Sequence, residues 1–291
     1  MATSTEPQDV SSEKLLEELS EPLELDSIDW MIRNLPPAQP SSIRRVPLDA
    51  SLGTLEVFPA ELLFLILDFL DFKSLSRLSR VSLKAKGMVE SLPVNRKMMQ
   101  HAPTVLTALG RTQLLSHHPA ALIHKTLKSE KCTSCCIYFG GFLLLPTFER
   151  VCSNCLEENV SLRVTTATSI KECFHLTEKQ LRTIPVMRSI PAIYGYSSRK
   201  RTYRLVSIKQ AKKLAIEVHG SIENLAALMP TTRPPNMGMK KFLTFKQFHD
   251  EPMEAPSQDL SRLPEKADRQ RDDFAGMASI PFPYLKSQAE P

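Results

Sequence analysis

The feature that most restricts the fold of this chain is a doubled cysteine turn. Cys132-Thr133-Ser134-Cys135 is followed, after an interval of sixteen residues, by Cys152-Ser153-Asn154-Cys155. Two residues between thiols let one tight turn present both sulfurs to a single ion at ~2.3 Å, and two such turns complete a closed tetrahedron. The spacing falls within the Cys-x2-Cys-x15–20-Cys-x2-Cys pattern of zinc sites. It predicts Zn2+ held by Cys132, Cys135, Cys152 and Cys155. Four thiolates leave no open position for water, so the expected ion is structural rather than catalytic. A redox pair and four unliganded thiols are the competing readings. Cys136 offers a Cys-x3-Cys register in place of Cys135 or is a small buried residue, and Cys173 is expected in a core.

Five of the six cysteines lie between Cys132 and Cys155. That clustering suits thiols or metal ligands in a reducing compartment better than disulfides. The acidic N-terminus has neither the basic nor the apolar stretch of a secretory signal, and its acidity also argues against a transit peptide. No apolar run approaches the ~18 residues of a membrane helix, because Asp68 stops Leu62 to Leu67 and Pro146 stops Phe142 to Leu145. The expectation is no membrane span and a cytoplasmic and/or nuclear location.

Charge divides the chain further. Residues 1–50 carry ten acids and four bases, residues 250–291 nine acids and five bases, and the centre 28 bases against 13 acids, net +15. A basic centre between acidic ends favours an acidic partner. The N-terminal region, residues 1–54, is predicted flexible, since proline, serine and acids leave too little apolar surface to offset chain entropy. Two apolar clusters interrupt it, Leu15, Leu16 and Leu19, then Leu25, Ile28, Trp30 and Met31 with the sole tryptophan. They read as a partner-docking segment or as a segment folding back onto the chain's own core. Residues 231–291 read as a mostly flexible tail.

Residues 55–100 read as helical. Pro59 and Glu61 suit a first helical turn and its positive end. Leu62, Leu63, Ile66, Leu67 and Leu70 form one broad apolar face, while Phe64, Leu65 and Phe69 put apolar groups on other sides, more than one neighbour can cover. Residues 71–74 read as a turn with Ser74 as N-cap, and Leu75, Leu78 and Val81 continue the stripe. Ala85, Met88 and Val89 supply a third short helix. In order and spacing, Pro59, Glu61-Leu62-Leu63, Ile66-Leu67, Leu70-Asp71, Ser74-Leu75 and Val81-Ser82 resemble the F-box. The resemblance implies a three-helix segment that docks on a Skp1-like adaptor and joins a substrate-binding region to a cullin–RING ubiquitin ligase. Pro59, Leu62, Leu63, Ile66, Leu67, Leu70, Leu75 and Val81 then occupy positions used for adaptor contact or for internal packing, and the sequence does not say which do which. One departure stands out: Ala85 sits where F-boxes usually carry a large aromatic, often tryptophan. The competing reading is a plain helical hairpin within a larger core.

Beyond a helical linker at residues 101–131, Gly140-Gly141, Thr147, Val160, Val164, Thr165 and Thr166 predict short strands and turns around the cysteines. Thr177 with Gln180, and Ser207 with Gln210, fit the capping box. A hairpin is expected between Ile193-Tyr194 and residues 203–206. Residues 142–147 and Arg150-Val151-Cys152 resemble a region joined to F-boxes in fungal proteins. A weaker likeness links the doubled cysteine motif and residues 203–227 to the zinc-containing domain of the xeroderma pigmentosum group A repair protein. Arg199, Lys200, Arg201, Arg204, Lys209, Lys212 and Lys213 put seven bases in fifteen residues beside Tyr194, Tyr196 and Tyr203. Such a patch suits phosphates with stacking tyrosines. Alternatively it is a solvated helix face, an import signal at residues 199–201 or a docking surface for an acidic protein.

No histidine sits at ligand spacing from another ligand candidate, and His117-His118 before Pro119 reads as solvent-facing. No Ser/His/Asp order, Gly-rich phosphate loop or His-Glu-x-x-His motif supports an enzyme. The expected fold class is α+β: a three-helix F-box at 55–100 and a small zinc-stabilised α+β domain with four cysteine ligands at 132–230, with flexible acidic termini. The expected function is a non-catalytic F-box substrate receptor linking a target protein, for which the basic centre favours an acidic one, to an SCF-type ubiquitin ligase. The alternative is a zinc-stabilised nucleic-acid-binding protein using the basic patch.

Overall fold

The computed structural model describes residues 51–193, 199–250 and 278–281. The acidic N-terminal stretch through residue 50 with both its apolar clusters, Tyr194, Tyr196 and most of the expected C-terminal tail lie outside the described residues.

A 3-10 turn, Gly53–Val57, leads into three short helices, α1 (Ala60–Asp68), α2 (Phe72–Leu78) and α3 (Leu83–Ser91). Asp71, not Ser74, caps α2: its carboxylate accepts from the Ser74 backbone N–H and from the Ser74 hydroxyl, each at 2.8 Å. A carboxylate outcompetes a hydroxyl for the orphan N–H groups of a helix start, and Ser74 becomes a second donor to it. Ser82 caps α3 by accepting from Ala85 N at 3.1 Å.

Helices α4 (Pro93–His101) and α5 (Pro103–Arg111) each open on proline, where the missing N–H costs nothing. Helix α6 (Ala120–Lys128) returns to the first module, with Ala120 N donating to Leu70 O at 2.9 Å. The cysteine unit follows as an antiparallel hairpin, β1 (Phe142–Leu144) and β2 (Glu149–Val151), then α7 (Ser153–Glu158).

Strand β3 (Val164–Thr166) runs directly into α8 (Ala167–Phe174), and the Thr177–Gln180 capping box forms at α9 (Glu178–Leu181). Next come β4 (Met187–Arg188), β5 (Ala192–Ile193), β6 (Lys200–Arg201), β7 (Arg204–Ser207), α10 (Ile208–His219) and α11 (Ile222–Ala227).

Two expectations in this stretch are corrected. The hairpin forms between β5 and β6, while β7 is the central strand of a β3-β7-β4 sheet. Leu205 and Val206 are both fully buried, and a strand covered on two faces belongs in the middle of a sheet. The Ser207 capping box does not form, because Ser207 is fully buried in register with Val164 and its hydroxyl makes no cap bond. Gln210 donates instead to Pro146 O at 3.5 Å.

The expected tail is also structured in part. Helix α12 (Met239–Asp250) buries Phe242, Phe245 and Phe248, and β8 (Ser279–Pro281) pairs antiparallel with β1. Three phenylalanines at intervals of three residues mark one helix face, so enough apolar area is buried to hold this segment in place.

Two cores organise the described residues. The first runs without a break from Leu67, Phe72 and Leu75 through Val105, Leu109, Ile123 and Leu127 to Leu143, Val151 and Ile280, and it includes the four motif cysteines. No packing break therefore falls at the expected boundary between linker and cysteine unit. The second core joins Ile170 and Phe174 of α8, Leu181 of α9, Val206 of β7, Ala211 and Ala215 of α10, Leu225 of α11, and Phe245 and Phe248 of α12.

Candidate functional site

The cysteine turns meet where α6, the β1–β2 hairpin and α7 converge. Cys132, Cys135, Cys152 and Cys155 are all buried, and their sulfurs lie within 4.8 Å of one another. A tetrahedron with metal–sulfur bonds of ~2.3 Å has edges of about 3.8 Å. The Cys135–Cys152 separation of 3.9 Å is close to that value. Four soft sulfur donors converging in a covered site are fit to hold a metal ion. Cys136 is excluded from the set: it is exposed, takes a left-handed φ of 59°, and turns its thiol toward Thr133 O. Cys173 is buried in the second core, as expected.

Backbone bonds hold both turns. Cys136 N donates to Cys132 O at 2.9 Å, closing the first turn, and Thr133 N donates to Arg150 O at 2.8 Å, tying it to β2. Cys152 caps α7, its sulfur accepting from Cys155 N at 3.4 Å, an arrangement that favours a thiolate. The turns have deeper support as well. Arg150 is fully buried, donating from Nε to Gly140 O at 2.7 Å and from a terminal nitrogen to Leu127 O at 3.1 Å. Its guanidinium also lies 5.2 Å from the Phe139 ring centre. At Gly140 a Cβ would sit 2.9 Å from the Arg150 Cβ and 3.2 Å from Lys131 O, so only glycine lets the loop pass. Asn159 donates to Ser134 Oγ at 2.6 Å, linking the end of α7 to the first turn.

Four thiols this close cannot all ionise in the absence of a cation. The hydrogen bond with the Cys155 thiol holds Cys132 down to about 4, and the same bond together with burial pushes Cys155 up. Burial raises Cys152 to about 11. A bound dication reverses this, favouring four thiolates and releasing their protons.

The second site is the surface of residues 55–97. The eight positions singled out in the sequence separate by burial. Leu63, Leu67 and Leu75 are buried and pack the module, Leu70 is partly covered, and Pro59, Leu62, Ile66 and Val81 face outward. The outward set extends beyond those eight, most prominently to Phe69 at 81% exposure and Val57 at 84%. Phe58 and Leu65 are exposed as well. The signal for them was the surplus of apolar residues around α1. Leu62, Leu65, Ile66 and Phe69 recur at helical spacing along α1 and its C-cap, and an exposed apolar helix face of this kind marks an interaction site.

The basic patch, by contrast, disperses. Lys212 is buried at 6% exposure and donates to His249 O, joining α10 to α12. Arg204 pairs with Glu178 at 2.5 Å and Lys209 with Glu149 at 3.4 Å. The helical period puts Lys209, Lys212 and Lys213 on one side of α10, but α12 covers Lys212 and leaves Lys213 exposed. His118 also departs from expectation. It is buried, makes a hydrogen bond from Nε2 to Leu145 O at 3.1 Å, and packs against Phe148.

No helix among the described residues is long and apolar enough to cross a membrane. No curated protein and no solved structure matches the chain. The fungal and xeroderma likenesses of the region beyond residue 97 therefore rest on the quoted residues alone. The three helices and the outward apolar surface coincide with a family match, since residues 55–97 fit the F-box domain.

Proposed function

We propose that this protein is a non-catalytic F-box substrate receptor, in which residues 55–97 bind a Skp1-like adaptor of a cullin-based SCF ubiquitin ligase and the region beyond presents a target protein. The observation that carries the reading is the outward apolar surface of Leu62, Ile66, Phe69 and Val81 within the segment that matches the F-box. Buried leucines hold the module together, so these exposed side chains are surplus to its own packing and suit a partner that removes them from water.

The cysteine set is best read as a structural zinc site. Four thiolates in a closed arrangement saturate the ion and leave no position for water or substrate. Its role here is to fix the β1–β2 hairpin against α6 and so extend the core of the F-box into the following unit. Lys200, Arg201 and Lys213 each remain exposed, and such bases suit an acidic target protein. The nucleic-acid reading loses support, because Lys212 is used internally and Arg204 and Lys209 are paired.

Affinity purification of the full chain from cells, with identification of what accompanies it, tests the receptor reading. Adaptor and cullin in stoichiometric recovery are the expected result. Their consistent absence from a folded, soluble preparation would refute the assignment.

A further inference from the structure

Within the F-box module an apolar hollow of about 220 Å3 remains open, bounded among the described residues by nine apolar ones. Ile66, Leu78 and Met88 contribute to its walls, and Ala85, only 1% exposed, presents a methyl group where a larger side chain would fit. Leu52 and Leu55 complete it. They belong to the first described stretch of chain, held in place by the Glu56–Lys84 ion pair at 2.7 Å. The chain upstream of Leu52 thus departs from the wall of the hollow itself.

We propose that this hollow is the docking site for the chain's own N-terminal segment at residues 25–31, with the Trp30 side chain seated against Ala85. An open apolar hollow of this size leaves its walls without packing partners on one side, and an apolar side chain seated in it removes that surface from water. The described lining is apolar and selects an apolar occupant. Residues 25–31 supply Leu25, Ile28, Trp30 and Met31, and Trp30 is the only tryptophan of the chain. An indole fills such a space with its ring while its N–H stays at the open, watered side.

Charge and connectivity choose this occupant over a separate one. Residues 21–29 carry four acids and no base, whereas residues 73–86, which include Leu78 and Ala85 of the wall, carry five bases and no acid. Lys73, Arg77 and Arg80 are exposed there, while Lys84 is paired with Glu56. The 21 residues between Trp30 and Leu52 are ample tether, because even a few extended residues span ~10 Å. Attachment through so few residues gives an effective concentration of the order of millimolar, which a competitor in solution has to match.

Trp30 reports on its own environment, so intrinsic fluorescence of the purified full chain, without adaptor, tests the proposal. Emission blue-shifted from that of free indole and protected from acrylamide is expected at all protein concentrations. Ala85→Phe, which fills the hollow, is expected to red-shift the emission and raise the quenching constant severalfold. Should that variant fail to fold, Arg77→Glu with Arg80→Glu changes only exposed groups and is expected to weaken protection severalfold, with circular dichroism unchanged. Trp30→Ala is expected to lower the melting temperature of the wild type and to have little effect beside Ala85→Phe. Water-exposed emission, or protection that neither variant alters, overturns the proposal. So does protection that appears only on raising the concentration of the chain, which indicates a second copy, or only on adding adaptor, which indicates a partner's side chain.

Discussion

The F-box module and the cysteine unit share one hydrophobic core yet solve opposite problems. Residues 55–97 have more apolar side chains than three short helices can cover, and the excess stands outside at Leu62, Ile66, Phe69 and Val81. Around Cys132 to Cys155 the inner positions are taken by groups that need specific partners: four thiols, the Arg150 guanidinium and Asn159. The first surface is completed from without, by another molecule. The second is held from within, by hydrogen bonds to Gly140 O and Leu127 O, around four sulfurs fit to hold an ion. Unmet demand at the surface suits a binding partner, whereas converging sulfur donors in the interior suit a metal ion.

The largest effect expected from breaking this contrast is metal loss. Structural zinc contributes apparent free energies of about 10–16 kcal/mol in small zinc-finger peptides. Cys152→Ser is expected to remove one equivalent of zinc per chain and lower the melting temperature by more than about 10 °C. Elemental analysis alongside calorimetry checks both, and an unchanged zinc content would contradict the assignment of the site.

A smaller effect separates inside from outside within the F-box. Leu67→Ala, at a position 5% exposed, is expected to cost about 2–5 kcal/mol in chemical denaturation. Loss of less than about 1 kcal/mol there would mean that the module's core lies elsewhere.

Acid sensitivity comes next. Burial holds His118 at about 4, below its ordinary value of 6.5, so the unfolded chain accepts a proton that the folded chain excludes. Its contribution is complete above pH 6.5 and is lost as pH falls from there through about 4. His118→Gln is expected to be less stable than wild type at about pH 7.5, with the gap narrowing by about 2–3 kcal/mol at about pH 4.5. The cysteine site titrates in both proteins and cancels in the comparison. A gap independent of pH would place His118 in contact with water.

What the sequence disclosed follows the same division. The convergence of Cys132, Cys135, Cys152 and Cys155 was legible because two-residue spacing fixes sulfur geometry locally, while Cys136 turns away in a left-handed conformation. The F-box helices were legible from periodicity, but their inside and outside were not. A surplus of leucines gives no direction until neighbouring helices are placed. Long-range pairing was least visible. Nothing near Ser279 announces that it lines up with Leu144, and nothing near Lys212 announces the His249 carbonyl. The phenylalanine spacing of Phe242, Phe245 and Phe248 did carry a signal, masked by the proline-rich and charged residues on either side.

The smallest effect on stability carries the most functional weight. Leu62→Asp with Phe69→Asp replaces side chains that are 47% and 81% exposed and lie outside the lining of the hollow. It is therefore expected to change folding stability by no more than about 1 kcal/mol. Titration of the purified chain with a Skp1-like adaptor tests the central claim most directly, because the same two changes are expected to abolish measurable binding. Unimpaired adaptor binding by the folded double variant would contradict the claim that this outward face is the docking surface.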